Sequence, residues 1–194
     1  MLKQLFFLTI LLFTIPLAAQ NTNDIDYIYK LKKITSLVKI DGVPDDQDWA
    51  SAQEAKNFIL NAPVDVGKPK NETIVKMMYD DANIFLLAIC YDDPNYVTQT
   101  LKRDGFGNSD EFALLIDPVG KKANGFGFGV NANNAQTEVL LSVNDPDISW
   151  DNRWYSAVGR YEEKWVVEMK IPLKSIRFSS DNTIWKVNFG RRDP

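Results

Sequence analysis

From residue 37 onward, apolar and polar positions alternate with a period of two in short runs separated by turn residues. Val75-Lys76-Met77-Met78-Tyr79 stops at Asp80-Asp81-Ala82-Asn83, and the run from Ile84 to Tyr91 starts directly after it, which predicts a β-hairpin. Ile84-Phe85-Leu86-Leu87-Ala88-Ile89-Cys90-Tyr91 is apolar on both alternating faces, so it is expected as a central strand covered on both sides. Phe112 to Ile116 ends at Asp117-Pro118-Val119-Gly120. Phe126, Phe128 and Val130 then alternate with Gly125, Gly127 and Gly129, and the glycine face of that strand lets another group approach closely. Thr137, Val139 and Leu141 alternate with Gln136, Glu138 and Leu140, giving a strand with one mostly polar face. Residues 154–158 and 165–171 flank the turn Arg160-Tyr161-Glu162-Glu163, and Trp185, Val187 and Phe189 alternate with Lys186, Asn188 and Gly190 in a last strand. Seven or eight short strands with regular turns predict an all-β fold, an antiparallel β-sandwich of jelly-roll or immunoglobulin-like type. Two short helical turns are expected, at 46–55, where an aspartate caps a turn that buries Trp49, and at 172–176.

The beginning of the chain follows another pattern. Lys3 precedes an apolar run from Leu5 to Phe13, followed by Pro16 and the small residues Ala18 and Ala19. This reads as a signal peptide over 1–19, cleaved beside Ala19. The run is shorter than the ~20 residues that span a bilayer, with an uncleaved anchor as the alternative. The expected location is outside the cytoplasm: periplasmic, outer-membrane-associated or secreted. Residues 20–36 read as a polar leader, with Tyr27 and Tyr29 as its only aromatics, into one domain over 37–192.

Composition narrows the chemistry. The 194 residues are 45% hydrophobic and 25% charged, as in an ordinary globular domain. There is no histidine and one cysteine, so no Ser-His-Asp triad, Cys-His pair or four-ligand zinc site can be built from this chain. Lys and Arg number 22 against 26 acids, a formal charge of −4, which argues against a nucleic-acid partner. Cys90 lies in an apolar run, where a free thiol packs as a small hydrophobe.

Catalysis would have to rest chiefly on carboxylates. Period two puts Glu111 and Asp117 on one strand face and Asp110 on the other with Phe112. Six residues at about 3.3 Å each separate Glu111 from Asp117 by roughly 20 Å, too far for the ~5–9.5 Å of a glycosidase acid pair. A partner such as Glu138 or Glu168 on another strand leaves glycoside hydrolysis as an open alternative. The run Trp150-Asp151-Asn152-Arg153-Trp154 is more suggestive, because two indoles rimmed by hydrogen-bonding side chains suit the C–H face and hydroxyls of a neutral sugar. The competing reading makes these indoles core, as expected for Trp49, Trp165 and Trp185. Asp41, Asp45, Asp46 and Asp48 crowd one loop without the EF-hand pattern, so no cofactor is called for, and calcium stays open without a specific motif. Gly125, Gly127 and Gly129 lack the lysine and helix of a phosphate loop.

Ile40-Asp41-Gly42 with Asp46 and Trp49, Tyr79-Asp80-Asp81-Ala82-Asn83-Ile84, and Ser109-Asp110-Glu111 with Ile116-Asp117-Pro118 together resemble a family 9 carbohydrate-binding module. Phe126-Gly127-Phe128-Gly129-Val130-Asn131, Trp165 with Glu168, Ile171-Pro172, Ser175-Ile176-Arg177-Phe178 and Asn188-Phe189-Gly190-Arg191 are similar to one branch of that superfamily. There the module is the N-terminal domain of large envelope proteins, often labelled membrane-associated hydrolases. Where that branch often carries a glycine-bearing turn after its Phe-x-Phe strand, this chain reads Ala132-Asn133-Asn134-Ala135. The resemblance implies a β-sandwich with a saccharide partner, Trp150 and Trp154 taking the aromatic role, and Arg103, Asp110 and Asn131 as polar partners. It implies non-catalytic binding linked to polysaccharide breakdown, with any hydrolase activity, and an outer-membrane or C-terminal domain, belonging to a larger protein. The rival reading is a structural or docking domain of an outer-membrane protein that has no sugar site.

Overall fold

The structure is a computed structural model that describes residues 27–194, apart from 65, 94, 96, 106, 121–123, 144 and 180. The expected signal peptide lies outside the described residues. In chain order the elements are β1 (Lys32–Lys33), α1 (Asp48–Ser51), β2 (Glu54–Ala55), β3 (Thr73–Tyr79), β4 (Asn83–Tyr91), β5 (Glu111–Asp117), β6 (Asn124–Asn131), β7 (Gln136–Ser142), β8 (Tyr155–Arg160), β9 (Lys164–Pro172), a 3-10 turn at Leu173–Ser175 and β10 (Lys186–Arg192). They form two sheets. One runs β1-β3-β4-β9-β8, with β2 also on β3, and the other runs β10-β5-β6-β7. All pairings are antiparallel except β1 on β3. The fold is the expected β-sandwich.

The alternation along each strand decides which residues meet between the sheets. Val75 and Met77 of β3, Ile84, Leu86, Ala88 and Cys90 of β4, and Trp165, Val167, Met169 and Ile171 of β9 face Phe112, Leu114 and Ile116 of β5 and Phe126, Phe128 and Val130 of β6. Cys90 is fully buried, and burial pushes its thiol up to about 12. The opposite face of the larger sheet is covered too. Met78, Phe85, Leu87 and Val166 pack there under Ile34, Trp49 and Ala52, which explains why β4 is apolar on both faces. The covering segment includes part of the expected leader: β1 lies on β3, Ile34 is buried, and the Tyr29 hydroxyl accepts the Met77 N–H at 2.7 Å. Its polar sequence disguises a role that depends on a few apolar residues.

One side chain fastens that cover. Glu168 of β9 has no solvent exposure, and it accepts the backbone N–H of Asp41 at 3.0 Å, of Gly42 at 2.8 Å and the Trp49 indole N–H at 3.3 Å. Burial pushes the Glu168 carboxyl above its ordinary value, and these three donors oppose the rise. Gly42 adopts a left-handed φ of 83° and its carbonyl lies against Gly159 of β8, where an added Cβ would come within 2.0 Å of that oxygen. The Ile40-Asp41-Gly42 run is thus a backbone clamp. Elsewhere, Asn134 takes φ 63° in the turn after β6, a conformation that asparagine adopts more readily than most residues in place of glycine. The glycine face of β6 is closed by its own neighbours, since a Cβ on Gly127 would meet Val139 at 2.5 Å and Leu115 at 3.1 Å.

Replacing Gly159 by alanine is expected to destabilise the domain by about 1–3 kcal/mol, since backbone rather than a flexible side chain must move. Gly190→Ala, where a Cβ meets nothing within 4 Å, is the matched control and is expected to be neutral or slightly stabilising. Urea unfolding of the two variants checks this.

Candidate functional site

The mostly polar face of β7 points inward. Glu138 pairs across the ladder with Phe128, whose side chain is core, and Leu140 packs on the same core. A carboxylate carried into a sandwich needs donors, and here two segments outside the sheets supply them. The Trp154 indole N–H donates to Glu138 Oε2 at 3.2 Å, and the Asn152 N–H donates to Oε1 at 3.2 Å. Arg103, carried between β4 and β5, adds an ion pair to Oε1. Burial pushes the Glu138 carboxyl up; the Trp154 and Asn152 donors and the Arg103 charge pull it down, while Asp151 adds to the rise. Both oxygens of Glu138 are therefore occupied, which leaves it a support and not a free acid.

Above this support is a cleft of about 470 Å³ lined by Arg103, Asp151, Asn152, Arg153 and Trp154. Arg103 spans it: one guanidinium nitrogen reaches Gln136 Oε1 at 2.6 Å, and the other lies 3.3 Å from Asp151 Oδ1 as well as on Glu138. Asn152 is committed to structure, since its Nδ2 donates to the Ser175 carbonyl and its Oδ1 accepts the Arg153 N–H. Asp151, 83% exposed, and Arg153 stand at the mouth. A smaller hollow of about 210 Å³, between Leu115, Gly125, Leu141 and Lys186, has no aromatic side chain in its lining.

The five candidates from the sequence separate into three groups. Arg103 and Trp154 line the cleft, but Trp154 is only 4% exposed, so its ring is not an open platform. Trp150 is half-buried, its ring 5.3 Å from that of Phe126 and 5.9 Å from that of Phe128, beside Asp151. Asp110 and Asn131 are not in the cleft lining and are buried. They hold the segment that carries Arg103: Asp110 Oδ2 accepts the Val97 N–H at 2.7 Å, and Asn131 Nδ2 donates to the Thr100 carbonyl at 2.7 Å. Asn131 Oδ1 meanwhile accepts the N–H groups of Asn133 and Ala135 and shapes the turn after β6. Burial pushes the Asp110 carboxyl up to about 6; the Val97 N–H opposes the rise, and Asp92 and Asp193 add to it. Sequence reading missed the supporting role of Glu138. The available signal was its phase, on the same strand face as Leu140. Trp185, expected in the core, is half-buried and pairs with the exposed Phe178 at 5.1 Å.

Glu138→Gln should cost about 1–3 kcal/mol of stability, because one donor loses its acceptor and Arg103 loses its buried counter-charge. Asp151→Asn, which touches the same guanidinium from solvent, should stay within about 0.5 kcal/mol of the parent. Denaturant midpoints of the two variants distinguish the support from the rim.

The fold has counterparts among known proteins. A family model for the carbohydrate family 9 binding domain-like domain matches residues 40–191. A family 9 carbohydrate-binding module from Caldicellulosiruptor kristjanssonii, solved with glucose, is 22% identical and superposes with a TM-score of 0.60 over 84% of this chain and 75% of that one. The same organism's module solved with cellotriose gives 21% identity and a TM-score of 0.59, over 82% and 73% of the two chains. A protein from Bacteroides uniformis, at 16% identity, superposes with a TM-score of 0.64 over 83% of this chain and 81% of its own. No curated protein matches the chain. The match over most of the sandwich, from the clamp at Ile40 to Arg191 of β10, means that this chain belongs to the carbohydrate family 9 binding domain-like family.

Proposed function

We propose that this chain is a non-catalytic carbohydrate-binding module and that the cleft between Arg103 and Trp154 takes the sugar. The observation that carries the reading is the cleft itself. It combines Asn152 and Trp154, both held by Glu138 behind the lining, with charged groups at the mouth, and its volume of about 470 Å³ suits a small saccharide. Arg103, Asp151 and Arg153 offer charge-assisted hydrogen bonds to vicinal hydroxyls, and Trp150, half-buried and outside the lining but adjacent in sequence to Asp151, would offer a surface for a sugar C–H face beside the cleft. Family membership and the neighbours solved with glucose and cellotriose support a saccharide as the ligand class. On this reading residues 1–19 export the chain, and the module holds a larger polysaccharide-degrading assembly near its glycan. The burial of Trp154 favours the rival, a docking domain without a sugar site, because the indole that lines the cleft is covered and Trp150 lies outside the lining.

Tryptophan fluorescence during titration with cello- and xylo-oligosaccharides, with reducing sugar assayed in parallel, tests the proposal. The expected result is a saturable change without turnover. Trp150→Ala should weaken binding at least tenfold with a modest change in unfolding midpoint. Trp154→Ala, which empties a buried site, should lose about 3–5 kcal/mol of stability. No response to any saccharide would overturn the proposal in favour of docking, and released reducing sugar would overturn its non-catalytic part.

A further inference from the structure

The charges around the cleft are unevenly met. Arg103 has three carboxylates for its one charge: Glu138 on a terminal nitrogen, Asp151 at 3.3 Å from the same nitrogen and Asp104 at 3.9 Å from Nε. Its other terminal nitrogen donates to Gln136 Oε1 at 2.6 Å. The charge of Arg103 is therefore answered inside the chain. Arg153 is the opposite case. Its backbone is pinned on both sides, because its N–H donates to Asn152 Oδ1 at 2.7 Å and its carbonyl accepts the Ser175 hydroxyl at 2.9 Å. The residue lines the cleft and is exposed, and its guanidinium has no hydrogen bond or ion pair with any described residue.

A fixed backbone that carries an unanswered cation at the mouth of a cleft is suited to an anion. A neutral sugar can satisfy the N–H groups of a guanidinium through its hydroxyls, but it leaves the charge to water. A carboxylate meets both, since its two oxygens match the guanidinium fork and the bonds are charge-assisted. We propose that the cleft prefers a saccharide carrying a carboxylate, a uronic acid unit, and that Arg153 is the residue that reads it. The inference rests on the saccharide reading of the cleft and adds the chemical class of the sugar to it.

The other charges narrow the ligand further. Glu138, Asp151 and Asp104 surround Arg103, so a ligand carboxylate is repelled from that side and has Arg153 as its one cation. A single charge thus also fixes which way round the sugar lies. The chain as a whole has a formal charge of −4, which repels a polyuronate with an acid on every unit. The ligand that fits is a mostly neutral glycan with an occasional uronate: one carboxylate sits on Arg153, and the neutral units are left for hydroxyl contacts along the cleft.

The test titrates the full chain by calorimetry at constant ionic strength with two probes, a xylo-oligosaccharide and the same oligosaccharide bearing one glucuronate. The substituted probe should bind about five- to tenfold more tightly, an advantage that shrinks as salt is raised. Reduction of its carboxyl group to the alcohol should remove the advantage, which separates charge from size. Arg153→Gln should bring the two affinities together, whatever it does to each. The side chain has no partner among the described residues, so the variant should keep the parent's unfolding midpoint. Arg153→Lys, which keeps the charge without the fork, should retain part of the preference. Two results would overturn the inference and leave the saccharide reading in place: equal affinity for the two probes, or a preference that persists in Arg153→Gln. Binding of neither probe would overturn both.

Discussion

A carboxylate inside a β-sandwich must find donors, because the strands have already spent their backbone N–H groups on one another. This chain places Glu168, Glu138 and Asp110 inside, and the donors come from the segments between strands. Glu168 draws Asp41, Gly42 and Trp49 onto the outer face of the larger sheet. Glu138 draws Arg103, Asn152 and Trp154 to the inner side of β7. Asp110 holds Val97 by one oxygen. In each case removal of the acid would strand buried donors, so the segments are held by the penalty for letting go as much as by the bond itself.

The same constraint shapes the cleft. Part of its lining is fixed because Glu138 holds Asn152 and Trp154 through its two carboxylate oxygens, and Asn152 is tied by both ends of its amide. What remains for a ligand is the rim, where Asp151 and Arg153 reach solvent. A floor with fixed polar groups loses little freedom when a ligand arrives, which favours weak polar ligands whose own hydroxyls must be desolvated. Arg103 belongs to both layers: it compensates a buried charge and also faces the cleft.

The strands and their order of burial were legible from period two. β5 and β9 show it most clearly, with Phe112-x-Leu114-x-Ile116 and Trp165-x-Val167-x-Met169-x-Ile171 all in the core. The double burial of β4 was also legible, from its unbroken apolar run. The cover over the larger sheet was not, because it consists of charged sequence anchored by Ile34, Trp49 and one distant glutamate. Nor was the inward face of β7, since Gln136-x-Glu138-x-Leu140 reads as solvated until Arg103 and Trp154 arrive from outside the strand. For the candidate site, the Trp150–Trp154 run was chosen by residue type and Arg103, Asp110 and Asn131 through the family resemblance; the structure places Arg103 and Trp154 in the cleft lining, while Asp110 and Asn131 hold loops, and side chains that fix loops resemble side chains that read ligands whenever only the sequence is visible.

The placement of these acids also separates what the fold requires from what a ligand would read. Glu138, Glu168 and Asn131 have their partners within the chain, so changes at them act first on loop position. Asp151 and Arg153 carry little structural duty, so the rim can vary in charge and shape while the sandwich beneath it stays the same. Trp150 occupies the boundary, packed on Phe126 and Phe128 yet only half covered. Core packing fixes the orientation of its ring before any ligand approaches, so the part left exposed is a preset surface, not one that a ligand must organise.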